Sequence, residues 1–204
     1  MNERLRQSVA DTSVERRPGR PRTQMLGERV LEAVSQLLES GETISVRRVV
    51  ETSGVSKAAI YRRWPGVTEL IAAALDRGRT PYGISLSGDL LENLLEALLS
   101  DDAEAGYSEE RLRTRLRLSL VDRELQQTYW THHITRRRAG LLELLREGVA
   151  RGELRADLDF DACSDLMTGV FYYQIVVRGD SLSESATRDR CQAALRVVWR
   201  GMLA

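Results

Sequence analysis

The chain is poor in several things, and each shortage excludes something. Two cysteines, Cys163 and Cys191, stand in 204 residues. They are too few for a disulfide framework or a cysteine zinc site, and read as reduced core thiols in a cytoplasmic protein. Four prolines and an aromatic share of 5% go with an abundance of Leu, Ala, Arg and Glu, and this favours an all-α fold. No run approaches the roughly 20 apolar residues of a membrane span, so no membrane partner is expected. The polar N-terminus does not read as a signal peptide. There is no Gly-rich phosphate loop after a strand, no nucleophile elbow and no metal-ligand spacing. The expectation is a protein that is not an enzyme, with no cofactor and no metal.

Net charge is absent too, with 30 basic and 30 acidic residues. The zero hides a division: residues 1–80 hold 14 basic and 10 acidic groups, and residues 81–204 hold 16 and 20. A net of +4 at the front and −4 behind suggests that the front meets a polyanion. Positive charge is densest in "RRPGRPRTQ" (residues 16–24). Residues 1–24 lack apolar periodicity and read as a flexible basic arm.

Helical periodicity begins at Met25. Leu26, Val30, Leu31, Val34, Leu37 and Leu38 recur at threes and fours, and Gly41 ends the pattern. Ser45 is placed to cap a second helix with Val46, Val49 and Val50 inside, and Gly54 to close it in a left-handed conformation. Ser56 caps a third helix, "KAAIYRRW", which Pro65 stops. A fourth, Val67 to Arg77, would bury Leu70, Ile71, Ala74 and Leu75.

Residues 45–64, "SVRRVVETSGVSKAAIYRRW", read as a helix-turn-helix, two short helices joined through a Gly-containing turn. Such a pair sends the outer face of its second helix into the DNA major groove. Ser56 and Lys57 lie at the positive end of that helix, where a phosphate can sit. Ala58 and Ala59 let the helix lie deep, and their methyls suit thymine methyls. Tyr61 can donate to a phosphate, and Arg62 adds charge or reaches a guanine edge. Ser45, Arg47 and Arg48 lie where the first helix crosses the backbone. Ordinary short helices with a solvated basic face would show the same pattern.

The block from "MLGERVLEAVSQLLESG" through "SVRRVVETSGVSKAAIYRRWPGVTELIAAAL" resembles the DNA-binding domain of the TetR family of transcriptional regulators. The glycine turn, Val-Ser-Lys, two small residues, an aliphatic, Tyr, two polar residues, an aromatic and Pro occur in the family's order. Two positions depart from it. Val67 stands where a phosphate-binding lysine is common. Trp64 stands where Phe is commoner, keeping the packing role and adding an indole N–H. The resemblance implies an all-α homodimer of about nine helices. An N-terminal three-helix helix-turn-helix domain (residues 25–78) would read a palindromic double-stranded operator, and a C-terminal domain (79–204) would bind an effector and dimerise. The function implied is a ligand-responsive regulator, a repressor released from DNA by a small molecule. An activator and a ligand-independent architectural DNA binder are the alternatives.

Behind the turn-rich "GRTPYGISLSG" the pattern predicts longer helices. Leu90, Leu91, Leu94, Leu95 and Leu98 mark one. After the loop "DDAEAGYS", Leu112, Leu116, Leu118 and Leu120 mark the next. Others run from Asp122 to Ala150, Asp161 to Arg178 and Glu184 to Leu203. The last two carry stripes that face either a second subunit or their own core. These are Met167, Val170 and Gln174, then Cys191, Ala194, Leu195, Val198 and Met202. Tyr129, Trp130 and His133, with Phe171 and Tyr172, are the candidate effector-pocket residues, core packing being the other fate of such side chains. Adjacent His132 and His133 point about 100° apart on a helix, poor geometry for one metal. In the arm, "GRPR" resembles an AT-hook, so Arg20 and Arg22 either read a narrow minor groove or belong to a solvated tail.

Overall fold

The computed structural model describes residues 20–99 and 109–204. Its front holds α1 (Arg20–Glu39), α2 (Val46–Ser53), α3 (Lys57–Tyr61) and α4 (Val67–Asp76). Its rear holds α5 (Leu90–Leu99), α6 (Glu109–Val121), α7 (Arg123–Tyr129), α8 (Thr135–Ala150), α9 (Phe160–Tyr172) and α10 (Ser185–Arg200). A π-helical turn, π1 (Trp130–Ile134), joins α7 to α8 without a break, and a second, π2 (Tyr173–Arg178), continues α9. With α7 and α8 taken as one rod, the described residues make nine helices, the all-α architecture expected from the sequence. Their one extended pairing is an isolated bridge between Leu154 and Leu203.

The front helices begin and end where side-chain chemistry dictates. Ser45 accepts from the backbone N–H of Arg48 at 3.3 Å, and Ser56 from that of Ala59 at 3.3 Å. Each such cap contributes about 1 kcal/mol, because it satisfies a helix N–H that has no intrahelical acceptor. Gly54 closes α2 at φ 66°, a left-handed conformation that costs a residue with a Cβ about 1–2 kcal/mol.

Two expectations change at the N-terminus. Residues 1–19 of the expected arm, and the expected loop at 101–108, lie outside the described residues. α1 starts at Arg20 and not at Met25. Pro21 suits a first turn, where its missing N–H would have had no acceptor. Arg20, Pro21 and Arg22 are therefore helical, and the extended Gly-Arg-Pro of a minor-groove hook is not their conformation here.

The buried apolar residues fall into a front cluster, a rear cluster and a joint. In front, Val30 and Val34 of α1, Val49 of α2, Ile60 of α3 and Leu70 of α4 pack together with Val55 of the turn. Removing a side chain such as Ile60 from water stabilises this unit by about 1.5–3 kcal/mol. Behind, Leu94, Leu141, Leu145, Met167, Leu195 and Trp199 are among those that tie α5, α8, α9 and α10 together. The joint is made by Ala72 and Leu75 of α4 with Leu125 and Tyr129 of α7. α4 thus packs on α1 in front and on α7 behind. Cys163 and Cys191 are free and buried, and burial pushes both thiols up from their ordinary range.

The expected inner face of α6 is only partly the observed one. Leu112 is buried, but Leu120 is 74% exposed, while Arg115 and Ser119 are buried. The inward row is Leu112, Arg115 and Ser119, at i, i+3 and i+7. Two polar residues face inward there because α6 walls a cavity.

Candidate nucleic-acid interface and ligand cavity

α2 and α3 meet through Val49, Val55 and Ile60, so the outward side of α3 is fixed by what its inner side buries. Ser56, Lys57, Ala58, Tyr61 and Arg62 are exposed together on that side. The Lys57 ammonium lies 5.7 Å from the centre of the Tyr61 ring, a cation–π contact along the exposed face. Arg63 turns back, its guanidinium against Gly27 of α1. Two expected members are less available. Ala59 is half-buried and packs against the front cluster, as does Trp64. Trp64 holds the packing place the sequence suggested.

Arg47 and Arg48 are exposed at the start of α2, beside Ser45. Arg47 pairs with Glu51 at 2.9 Å, and Arg48 pairs with Glu42. Exposed pairs of this kind are worth about 0–1 kcal/mol, so a phosphate can displace the acid at little cost.

In the rear, α6, α7, π1, α8 and α9 enclose a cavity of ≈ 440 Å³. Of the candidate effector-pocket residues, Tyr129, Trp130, Phe171 and Tyr172 line it. His133 does not. It lies on the far side of the π1 turn, where its Nδ1 is 2.9 Å from Asp76. The extra residue in a π-turn shifts the phase of the side chains, so Trp130 and Ile134 take the cavity side and His133 the α4 side. Exposed His132 is on neither.

Asp76, the last residue of α4, is 6% exposed and accepts from four donors. Its Oδ1 receives the Tyr129 hydroxyl at 3.2 Å and Arg137 Nη1 at 2.9 Å. Its Oδ2 receives His133 Nδ1 at 2.9 Å and Arg136 Nη2 at 2.9 Å. Burial by itself would raise the Asp76 carboxyl, but the His133 hydrogen bond, the Arg137 charge and the Tyr129 hydroxyl outweigh it and hold it below its ordinary value. This environment favours the ionised carboxylate, which only accepts. Tyr129 and Arg137 also line the cavity. One carboxylate thus connects the last turn of the helix behind the helix-turn-helix to the cavity wall.

The stripes expected to face either a second subunit or the chain's own core lie mostly inside the chain. Met167, Gln174, Cys191, Leu195 and Met202 are all buried within the chain itself, and Val198 packs on the same core. The exposed apolar row lies about one residue out of phase. On α9 and π2 it is Leu166, Tyr173 and Val177, with half-buried Val170 between them. On the neighbouring α10 it is Val197, 66% exposed, with Ala193 one turn before it. Each helix carries two apolar stripes, and periodicity selects the denser one, which is the stripe that serves the chain's own core.

Asp76, Arg115, Ser119 and Arg137 were not singled out by their sequence. Asp76 ends an otherwise apolar run, and Arg115 and Ser119 share a helical face with Leu112. A charged residue in phase with an apolar stripe is the one clue the chain offers.

A capped helix-turn-helix with a basic outer face, joined through α4 to a helical body with an internal cavity, defines a helix-turn-helix DNA-binding protein of two parts. Comparison with known proteins narrows that class. Residues 80–194 match the tetracyclin repressor-like C-terminal domain. The chain is 30% identical over 190 residues to the HTH-type transcriptional regulator YdeS of Bacillus subtilis (strain 168), covering 88% of this chain and 93% of that protein. It is 26% identical over 188 residues to the HTH-type transcriptional regulator Mb1581 of Mycobacterium bovis, covering 91% and 89%. Among solved structures, the TetR family regulator SCO0332 superposes with a TM-score of 0.62 at 23% identity, covering 88% of this chain and 99% of that one. Salmonella enterica GusR superposes at 0.64 and 18% identity, covering 89% and 98%. The chain belongs to the TetR family of transcriptional regulators. Regulators of this family bind DNA and dimerise. Among the described residues no helix is long and apolar enough to cross a membrane.

Proposed function

We propose that this regulator binds a palindromic operator as a homodimer in the cytoplasm and leaves it when a small molecule enters the cavity, which makes it a repressor. The observation that carries this reading is the position of Asp76. It ends α4, and two of its four partners, Tyr129 and Arg137, form the cavity wall. A ligand that draws either side chain toward itself changes what holds α4, and α4 packs directly on α1 of the front unit. A ligand with unequal affinity for the two placements of α4 then shifts the population toward one of them. Residues 25–78 would act as the DNA-reading unit and 79–204 as the effector and dimerisation unit.

At the DNA, Lys57, Tyr61, Ser56, Ser45, Arg47 and Arg48 serve as phosphate contacts. Ala58 and Arg62 are the residues that face the base edges. Arg20 and Arg22 add charge from the start of α1. Replacing Lys57 by alanine should reduce the slope of log affinity against log salt by about one unit, if the ammonium neutralises one phosphate. An unchanged slope in a salt titration would remove Lys57 from the interface.

The reading as a whole is tested by selecting bound sequences from random duplex DNA. The expected product is an inverted repeat whose half-sites are centred about one helical turn apart. A single unrepeated site would overturn the homodimeric reading.

A further inference from the structure

The cavity also carries information about what enters it. Arg79, Arg115, Arg137 and Arg138 line it, against a single carboxylate among the described residues, Asp165. Arg138 holds Asp165 at 2.8 Å, and Asp76 holds Arg137 at 2.9 Å. Arg115 is 5% exposed, and no carboxylate pairs with it among the described residues. Its guanidinium is fixed by the ring of Tyr129, 5.0 Å away, by the ring of Tyr172, 5.6 Å away, and by a 3.0 Å bond from Nη2 to the Tyr172 hydroxyl. Among the described residues its Nε is buried without a hydrogen-bond partner. So is the hydroxyl of Ser119, one turn along the same face of α6. A buried N–H and a buried O–H left unmatched are costly, and more so where the group is charged.

The Tyr172 hydroxyl reports the local potential. Burial would raise it, yet the charge and hydrogen bond of Arg115, with the charges of Arg79 and Arg137, pull it below its ordinary value. Around this cationic end the walls are apolar, from Leu98, Leu116, Phe171, Ile175 and Leu182.

We propose that the cavity binds a small organic carboxylate, its anionic end held by Arg115 Nε and Ser119 Oγ and its carbon skeleton by the apolar wall. A carboxylate supplies the acceptors these two donors lack, and an arginine fork matches its plane. This rests on the reading of the cavity as the effector site. A cavity of ≈ 440 Å³ is within the size range of small-molecule sites.

The test is calorimetric titration of the full chain with benzoate, 1-naphthoate, 4-phenylbutyrate and decanoate, each beside its own primary amide. At least one carboxylate should bind, with its amide roughly 10- to 100-fold weaker, since a charged hydrogen-bond partner is lost. Arg115→Gln should abolish that preference. Ser119→Ala, which removes a hydroxyl that holds nothing in the fold, should reduce it a few-fold. Absence of binding by all four carboxylates, parity of acid and amide, or an unchanged preference in both variants overturns the proposal. Operator binding is measured separately on the same samples. A carboxylate that binds the cavity and leaves operator affinity unchanged overturns the ligand-responsive reading alone. A neutral molecule that occupies the cavity and releases the operator, with the acids inert, overturns the ligand class alone.

Discussion

Replacing Asp76 by asparagine should cost the fold roughly 3–5 kcal/mol, the range for removing one partner of a buried ion pair. The reason lies in Arg137, which is 4% exposed and whose charge is met by Asp76. An amide supplies no negative charge and cannot accept on both its atoms, so the Arg137, Tyr129 and His133 donors lose part of their match. The effect has a pH signature. A carboxyl whose folded pKa is depressed stabilises the fold fully above the ordinary carboxylate range, and that contribution is lost as pH falls through the depressed value. Wild type should therefore lose extra stability below about pH 4, and Asp76→Asn should lack that component. Denaturant unfolding from pH 7 to pH 3 measures both. A variant within about 1 kcal/mol of wild type, with the same acid slope, would sink this account of the network. Changing Arg137 to methionine in the same chain should recover part of the loss, because it removes the stranded buried charge.

The second large effect concerns assembly. Val197→Glu should yield a folded monomer whose operator affinity is roughly 10²- to 10⁴-fold weaker, the scale on which two linked sites outperform one. Val197 is 66% exposed in the chain, so a charge there costs the fold of a single copy little. In an isologous contact each substitution appears twice and meets its own equivalent near the two-fold axis. Sedimentation or light scattering reads the mass, and gel shift reads the affinity. Leu195→Ala is the control that separates the two stripes of α10. Leu195 is fully buried, so its loss should reduce fold stability by about 2–5 kcal/mol without selectively dissociating a dimer. A dimeric Val197→Glu protein would move the interface off the α9 and α10 surface.

The short-range features of this chain were legible because their physics is local. Ser45 and Ser56 cap because each sits where a helix has unpaired N–H groups, and Gly54 is left-handed because other residues pay a steric cost there. Tyr129, Trp130, Phe171 and Tyr172 were findable as an aromatic concentration. The phase errors share one cause. On α10 and α6 the sequence shows that an apolar stripe exists, not what covers it. Leu195 and Val197 are both apolar and two residues apart. Only the packing of α10 against α9 and α5 decides which of them is inside. The π-turns add a shift that period counting at 3.6 residues does not anticipate.

By itself, then, the sequence determined the helical composition, the order of the helices, the capped turn between α2 and α3 and the family to which that turn belongs. Each of these depends on neighbours within a few positions along the chain. The tertiary structure decided which stripe is core and which is exposed, that His133 faces α4 rather than the cavity, and that Asp76 joins the two halves. It also placed Arg115 and Ser119 in the cavity wall. Asp76 lies 57 positions before His133 and 61 before Arg137. Nothing local to Asp76 records that donors from α7, π1 and α8 will converge on it, because that convergence is made only when the end of α4 meets all three.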